Sequence, residues 1–236
     1  MIFNLKKEVI KYSSRLYSKN FVANHDGNIS VKISDKEFLI TPTAQSKGDI
    51  TERMLLIVNN SGTVVSGTGN PFSELKLHFK FYTKRSDIKA IIHAHPPYAT
   101  SLSILGRGVD RLPIAEAIVT LGLKIPLLKY SFPGSENEKS ISKLFDAYIL
   151  ENHGVITVGN SLETAYFRLE LVEHIAKIIS LAGPDYKSIP KEDEEKLFQK
   201  HCQLFSKNIK NDSENENLRE LVRERVLENF SSKWKL

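Results

Sequence analysis

The sequence has a single cysteine among its 236 residues, Cys202. One thiol excludes a disulfide framework and any zinc finger built on cysteines. The longest apolar runs are far shorter than the ~18 residues of a membrane-spanning helix, and the first residues lack the apolar stretch of a secretory signal peptide. These absences predict a cytoplasmic protein of a reducing compartment, without a membrane partner.

Charge and hydropathy are those of an ordinary globular protein. Apolar residues make up 41% of the chain, which suffices for a sizeable core, and the length corresponds to one or two domains. Lysine and arginine number 33, against 28 aspartates and glutamates. The basic residues are mixed with acids, whereas nucleic-acid binders concentrate them on one face or in one stretch. We therefore predict a protein that binds small anions or simply stays soluble, and no nucleic-acid partner.

The composition of the chain changes near residue 187. Beyond that point 21 of 50 residues are charged, acids and bases nearly cancel, and apolar residues recur at helix-compatible positions. We interpret residues 187–236 as a charged helical C-terminal extension of two polar helices, separated by the polar stretch 208–217. Residues 1–186 then form the main domain, which carries the chemistry.

Strand-like and helix-like patterns alternate within the main domain. The strands are predicted at 29–33, 38–40, 55–58, 63–65, 88–95, 147–150 and 155–158. The helices are predicted over 5–16, from an N-cap at Ser73 to residue 82, over 98–105, and from a cap at Asn160 or Ser161 to Gly183-Pro184. This interleaving predicts an α/β or α+β fold, with a mixed or antiparallel sheet that has helices on its faces.

Three histidines lie where predicted strands end. His93 and His95 are two positions apart on one strand, just before a Pro-Pro pair, so both side chains project from the same face. His153 lies between Asn152 and Gly154, in a turn between two predicted strands. Three imidazoles supply the ligand count of a catalytic zinc site with an open position. An ordinary pair of histidines at a rim and a solvated histidine in a turn would give the same pattern.

A carboxylate and two polar turns are the other candidates. Glu74 follows Ser73 at a helix start, where it either interacts with the positive end of the helix dipole or acts as a metal ligand or general base. The turns around Asn28 and Thr43 offer backbone N–H groups, an amide and hydroxyls, which suit an anion such as phosphate. Turn chemistry alone explains both turns equally well.

Together these segments resemble the class II aldolase/adducin-head family over residues 20–182. The motifs that carry the resemblance are Gly27-Asn28-Ile29-Ser30, Thr41-Pro42-Thr43, Ser73-Glu74 followed by His78, residues 93–102, residues 126–130, and Asn152-His153-Gly154. The resemblance implies an α/β fold with a central, mainly antiparallel sheet flanked by helices. It also implies a homotetramer, with each site near a subunit boundary.

The resemblance further implies roles for individual residues. The ligands of Zn²⁺, or of another divalent metal such as manganese, cobalt or iron, would be His93, His95 and His153. Glu74 would be the acid/base of the aldolase and would approach the metal when no substrate is bound. The pocket for the substrate phosphate would be formed by Asn28, Thr43 and Ser73.

Several positions bear on the branch of the family. Ala44 stands where the aldolases have a glycine, and Phe72 where they have a serine. Epimerases carry an aspartate where Glu74 stands, which favours the aldolases. Dehydratases rely on a glutamate downstream of the His-x-His pair, where Glu116 stands, but generally lack the equivalent of Glu74. No tyrosine stands near residues 114–118, where the fuculose-phosphate enzyme has a catalytic one.

The function predicted by this resemblance is that of a zinc-dependent class II aldolase. Such an enzyme cleaves or forms a carbon–carbon bond in a small phosphorylated ketose, through an enediolate whose charge the metal stabilises. Glu74, with Glu116 as a second group, would move the protons. The alternatives are a phosphosugar dehydratase or 4-epimerase on the same metal site, and a non-catalytic binding module like the adducin head. The binding module is disfavoured because that branch has shed its metal ligands.

Overall fold

Eight strands form one sheet in the structure, a computed structural model that describes residues 2–131 and 141–205. The strands are β1 Asn28–Lys32, β2 Glu37–Ile40, β3 Leu56–Asn59, β4 Val64–Ser66, β5 Ala90–Ala94, β6 Leu127–Leu128, β7 Ala147–Leu150 and β8 Gly154–Gly159. Their order is β4-β3-β2-β1-β5-β8-β7-β6. All neighbours are antiparallel except the pair β6–β7. The predicted α/β class with a mainly antiparallel central sheet is confirmed.

Helices cover both faces of this sheet. They are α1 Ile2–Ser18, α2 Leu75–Lys84, α3 Pro97–Ile104, α4 Ala115–Leu121, α5 Leu162–Ala182 and α6 Lys191–Leu204. One face packs with α1, α3, α4 and α5 in the larger hydrophobic core, and the other face packs with α2 in the smaller one. Because strand side chains alternate, Ile92 of β5 lies in the larger core and Ile91 in the smaller. His93 therefore projects toward the face that α2 covers.

The starts of two helices test the predicted caps. Ser161 is the N-cap of α5, and its Oγ accepts a hydrogen bond from the backbone N–H of Thr164, as predicted for one of two candidate caps. The prediction of Ser73 as the N-cap of α2 is wrong by one residue, because Glu74 occupies that position. The backbone N–H of Leu75 donates to the carbonyl of Phe72, so a turn precedes the helix and displaces its first residue.

The C-terminal extension is described only in its first part. The helix α6 matches the first of the two predicted polar helices, and Phe198 inserts into the larger core. The second predicted helix lies outside the described residues, and the division at residue 187 stays a prediction. Within residues 2–131 and 141–205, no helix combines the length and apolar character needed to cross a membrane.

A buried charge cluster joins β7 to three helices or their ends. The carboxylate of Asp146, with no solvent exposure, lies 2.7 Å from Nη2 of Arg85 and 2.8 Å from Nη2 of Arg168. Nε2 of His201 in α6 is 3.9 Å from the same carboxylate, and its Nδ1 lies 3.0 Å from the carbonyl oxygen of Val119. Asp146, directly before β7, thus ties the C-terminal end of α2 and the body of α5 to the start of that strand, and α6 reaches the same point.

Replacing Asp146 with alanine is expected to lower the free energy of unfolding by about 3 kcal/mol, because it leaves buried guanidinium charge without its counterion. Arg85 retains a second partner in Asp87, whereas Arg168 does not have that contact. Urea unfolding followed by circular dichroism measures the change. The matched control is Asp35→Ala, in an exposed β1–β2 turn, which should leave the unfolding midpoint unchanged. Equal midpoints for both variants would contradict this role of Asp146.

Candidate metal centre

Two of the predicted ligands lie on and just beyond β5. Asn28 of β1 pairs with His93, and His93 pairs with Ile156 of β8, so this histidine lies on an interior strand. His95 follows the end of the strand, where its backbone N–H donates to the carbonyl of Phe21. The two-residue spacing places both imidazoles on the α2 face, as predicted.

The third histidine is brought to the same place by the turn between β7 and β8. Asn152 has φ +54°, a left-handed conformation that asparagine tolerates better than most residues. At Gly154 an added Cβ would lie 2.5 Å from the carbonyl oxygen of Ala94 and 2.6 Å from the His95 ring. The Asn-His-Gly sequence therefore lets the turn approach the end of β5 closely enough for His153 to join the other two histidines.

The three imidazoles converge through their Nε2 atoms. Nε2 of His93 lies 3.0 Å from Nε2 of His95 and 3.2 Å from Nε2 of His153. The three ligating atoms all lie within 4.8 Å of one another. Nitrogens bound tetrahedrally at ~2.0–2.1 Å from one zinc ion are about 3.3 Å apart. The two spacings from His93 match those around a single divalent cation, and the three nitrogens are close enough together to form a candidate site for one.

The protonation state of His93 also suits metal binding. Its Nδ1 lies 2.9 Å from the carbonyl oxygen of Val155, which can only accept, so Nδ1 carries the proton and Nε2 keeps a lone pair. Burial, with His95 and His153 adding to it, holds the pKa of His93 well below its ordinary value. The ring is therefore neutral at physiological pH, the form in which histidine binds a metal. Imidazole suits zinc, iron, copper and nickel.

A carboxylate lies beside the three rings. Oε1 of Glu74, at the start of α2, is 3.5 Å from Nε2 of His153. Its Oε2 accepts a hydrogen bond of 2.8 Å from Nδ2 of Asn28, which fixes the carboxylate against β1. Oδ1 of Asn28 is buried and accepts no hydrogen bond from the described residues. Glu74 thus faces the histidines and is held by a neighbour that retains an unused acceptor.

A cleft of about 160 Å³ opens next to this group. The predicted phosphate-pocket residues Asn28, Thr43 and Ser73 line it, together with Glu74, His93 and His95. Phe72 also lines the cleft and packs in the smaller core, edge-on to His78. Ala44 has φ +56°, so the backbone keeps the left-handed conformation that a glycine adopts readily at this position.

The structure separates one predicted residue from the others and adds three that the sequence did not indicate. Glu116 is exposed in the first turn of α4 and is not among the residues lining the cleft, so its role stays a prediction. His25 and Asp26 line the cleft, and Lys47 is buried near its acidic residues. Asp26 had a possible signal in its place directly before the Gly27-Asn28 turn.

Comparison with known proteins identifies relatives of this chain and its family. The L-fuculose phosphate aldolase of Methanocaldococcus jannaschii is 37% identical over 178 residues, which cover 75% of this chain and 96% of that protein. The 3-oxo-tetronate 4-phosphate decarboxylase of Pectobacterium atrosepticum is 30% identical over 186 residues, covering 75% and 84%. A solved structure of L-fuculose 1-phosphate aldolase superposes with a TM-score of 0.75 at 31% identity, covering 84% and 95%. Residues 7–180 match the Class II Aldolase and Adducin N-terminal domain, and the chain belongs to that family.

Proposed function

We propose that the protein is a metal-dependent aldolase that cleaves or forms a carbon–carbon bond in a small phosphorylated ketose. The observation that carries the proposal is the convergence of three Nε2 atoms beside the Glu74 carboxylate, at the edge of a cleft. The similarity to fuculose-phosphate aldolases supports it. Zinc as the cation and a homotetrameric assembly complete the proposal on the family resemblance, and a cytoplasmic location completes it on the composition of the sequence.

The residues of the site divide the work between holding a cation and moving a proton. The cation would be held by His93, His95 and His153. When bound, it supplies a Lewis acid that polarises substrate oxygens and stabilises the negative charge that develops as the carbon–carbon bond breaks. Glu74 would add or remove the proton at the reacting carbon, because its carboxylate lies 3.5 Å from Nε2 of His153, the nitrogen that would face the cation, and lines the cleft. Asn28 keeps Glu74 in place through its amide N–H.

Other residues that line the cleft would bind the phosphate. Thr43 and Ser73 supply hydroxyls, and the left-handed backbone at Ala44 preserves the turn in which peptide N–H groups can face an anion. The Asn28 Oδ1, without a partner among the described residues, would accept a substrate hydroxyl. Phe72 presents a ring where the aldolase pattern has a hydroxyl, so this pocket has fewer donors than those of the resembled aldolases.

Decarboxylation is the second candidate reaction. The relative from Pectobacterium atrosepticum, at 30% identity, is a decarboxylase named for a phosphorylated oxo acid, 3-oxo-tetronate 4-phosphate. Loss of carbon dioxide beside a carbonyl also breaks a carbon–carbon bond and leaves negative charge that the same site would stabilise. Dehydration, in which Glu116 would act, and 4-epimerisation on the same metal site are the further alternatives.

One set of assays on the zinc-loaded protein tests the proposal. Metal content is measured by elemental analysis, and a panel of ketose 1-phosphates is assayed with coupled detection of dihydroxyacetone phosphate. One equivalent of metal and release of this product with an aldehyde are expected. Carbon dioxide release from a 3-oxo acid phosphate without aldehyde formation would instead assign the decarboxylase. Loss of water, or an epimer, as the sole product would contradict both.

A further inference from the structure

A carboxylate that the proposed reaction does not use contacts one of the predicted metal ligands, on the side of its ring that faces away from the candidate cation. Asp26, in the connection between α1 and β1, has its Oδ2 3.3 Å from Nδ1 of His95. The opposite nitrogen of that ring, Nε2, is the atom that faces His93 at 3.0 Å. Asp26 and the candidate cation therefore lie on opposite sides of the same imidazole.

This arrangement decides which nitrogen of His95 carries the proton. An ionised carboxylate only accepts hydrogen bonds, so it favours the proton on Nδ1 and leaves the lone pair on Nε2. His93 obtains the same tautomer from the Val155 carbonyl. Partners of this kind orient metal-binding histidines and raise their basicity. Without Asp26, Nε2 of His95 could carry the proton and donate it to Nε2 of His93, which would place a proton where the cation belongs.

The loop that bears Asp26 is fixed from two sides. Gly27 has φ +70°, and an added Cβ would lie 2.8 Å from the carbonyl oxygen of His93, so the loop packs directly on β5. Lys47 is 1% exposed, and its ammonium donates to the carbonyls of Gln45 and His25, at 2.8 and 3.4 Å. This lysine joins the two loops that border the cleft.

Nearby carboxylates balance the positive charge of the buried Lys47. Burial lowers the pKa of Lys47 to about 8, whereas the carboxylates of Asp26 and Glu74 act in the opposite direction. A lysine is almost never buried this completely unless its charge is matched by nearby groups. The two carboxylates that border the cleft are the groups that match it.

We propose that Asp26 is a positioning residue that sets His95 for metal binding, and that Lys47 holds the loop of Asp26 in place. The inference rests on the proposed metal-dependent function. It assigns to Asp26 no contact with substrate and no proton transfer in the reaction.

Metal affinity is the first test. Apoprotein is titrated with zinc against a chromogenic chelator for the wild type, Asp26→Asn, Asp26→Glu and the exposed control Asp35→Asn. Asp26→Asn is expected to bind zinc about 10- to 100-fold more weakly, Asp26→Glu to recover part of the loss, and the control to match the wild type. Lys47→Met should weaken binding in the same direction. Thermal unfolding of the apo Asp26→Asn variant at the wild-type temperature shows that its fold is intact. Affinity of Asp26→Asn within twofold of the wild type would overturn the inference.

A second measurement does not depend on metal binding. Long-range ¹H–¹⁵N correlation spectra of apoprotein with ¹⁵N-labelled histidine report the tautomer of His95. The proton is expected on Nδ1 in the wild type and on Nε2 in Asp26→Ala, which has no side-chain acceptor at this position. An unchanged tautomer would overturn the role of Asp26 whether or not the wild type binds zinc. If the wild type binds no metal but the tautomer shift is present, the proposed function is rejected. The contact between Asp26 and His95 would then still determine the tautomer of the His95 ring.

Discussion

His153→Ala is expected to abolish stoichiometric metal binding and to lower the aldolase rate by about three orders of magnitude or more. Lewis-acid stabilisation of transition-state charge contributes several kcal/mol, and each ~1.4 kcal/mol is a factor of ten in rate. His153 is the suitable position because it lies in a turn and its side chain is 29% exposed, so its removal leaves the sheet core intact. Elemental analysis and the coupled assay measure the two effects.

A matched histidine variant accompanies that experiment. His174 is exposed on α5, and His174→Ala should retain one equivalent of metal and the wild-type rate. Full metal content in His153→Ala would refute the assignment of this ligand. Loss of the metal with retention of the rate would instead show that the reaction does not require the cation.

Glu74→Gln is expected to retain the metal and to lower kcat by two to four orders of magnitude, on the ~10²–10⁴ scale of general acid–base catalysis. The substitution preserves the size of the side chain, and its amide oxygen can still accept the hydrogen bond that Asn28 donates to Oε2. What disappears is the group that exchanges a proton with the reacting carbon. Steady-state kinetics on the loaded variant, with metal content measured on the same sample, give the result.

Two further glutamate variants complete the Glu74 experiment. Glu192→Gln, on the exposed side of α6, should leave kcat unchanged. A wild-type rate in Glu74→Gln would remove Glu74 from the mechanism. Greater sensitivity to Glu116→Gln than to Glu74→Gln would favour the dehydratase alternative, since the resemblance assigns the dehydratase chemistry to that glutamate.

The parts of the fold and site that could be predicted are those that have a local signal. The apolar segment 88–95, ended by a Pro-Pro pair, predicted the strand, and the two-residue spacing predicted the common face of His93 and His95. The Asn-His-Gly sequence indicated the turn that carries His153. Every strand predicted from the pattern is present. The seven-residue helix α4 and the two-residue strand β6 were not predicted, because elements this short have almost no periodicity.

The parts that could not be predicted depend on contacts between distant segments. Asp26 meets His95 only because β1 pairs with β5, and Lys47 is buried only because two loops meet across the cleft. Charged residues are mostly exposed, so a lysine in a polar loop gives no sign that it will be buried. The start of α2 was misplaced because Ser73 is a good cap by residue type, whereas the turn at Phe72 that displaces it is a matter of backbone conformation.

The interior place of β5 also bears on how the protein would gain and lose its cation. β5 has β1 on one side and β8 on the other, whereas the edges of the sheet are β4 and β6. Local opening begins at edges and loops and rarely reaches the central strands without global unfolding. His93 is therefore shielded from fraying, whereas His95 and His153 lie beyond the ends of strands and are partly exposed. Exchange of a bound ion would thus begin at these two residues, while His93 stays in place as the fixed point at which the ion binds again.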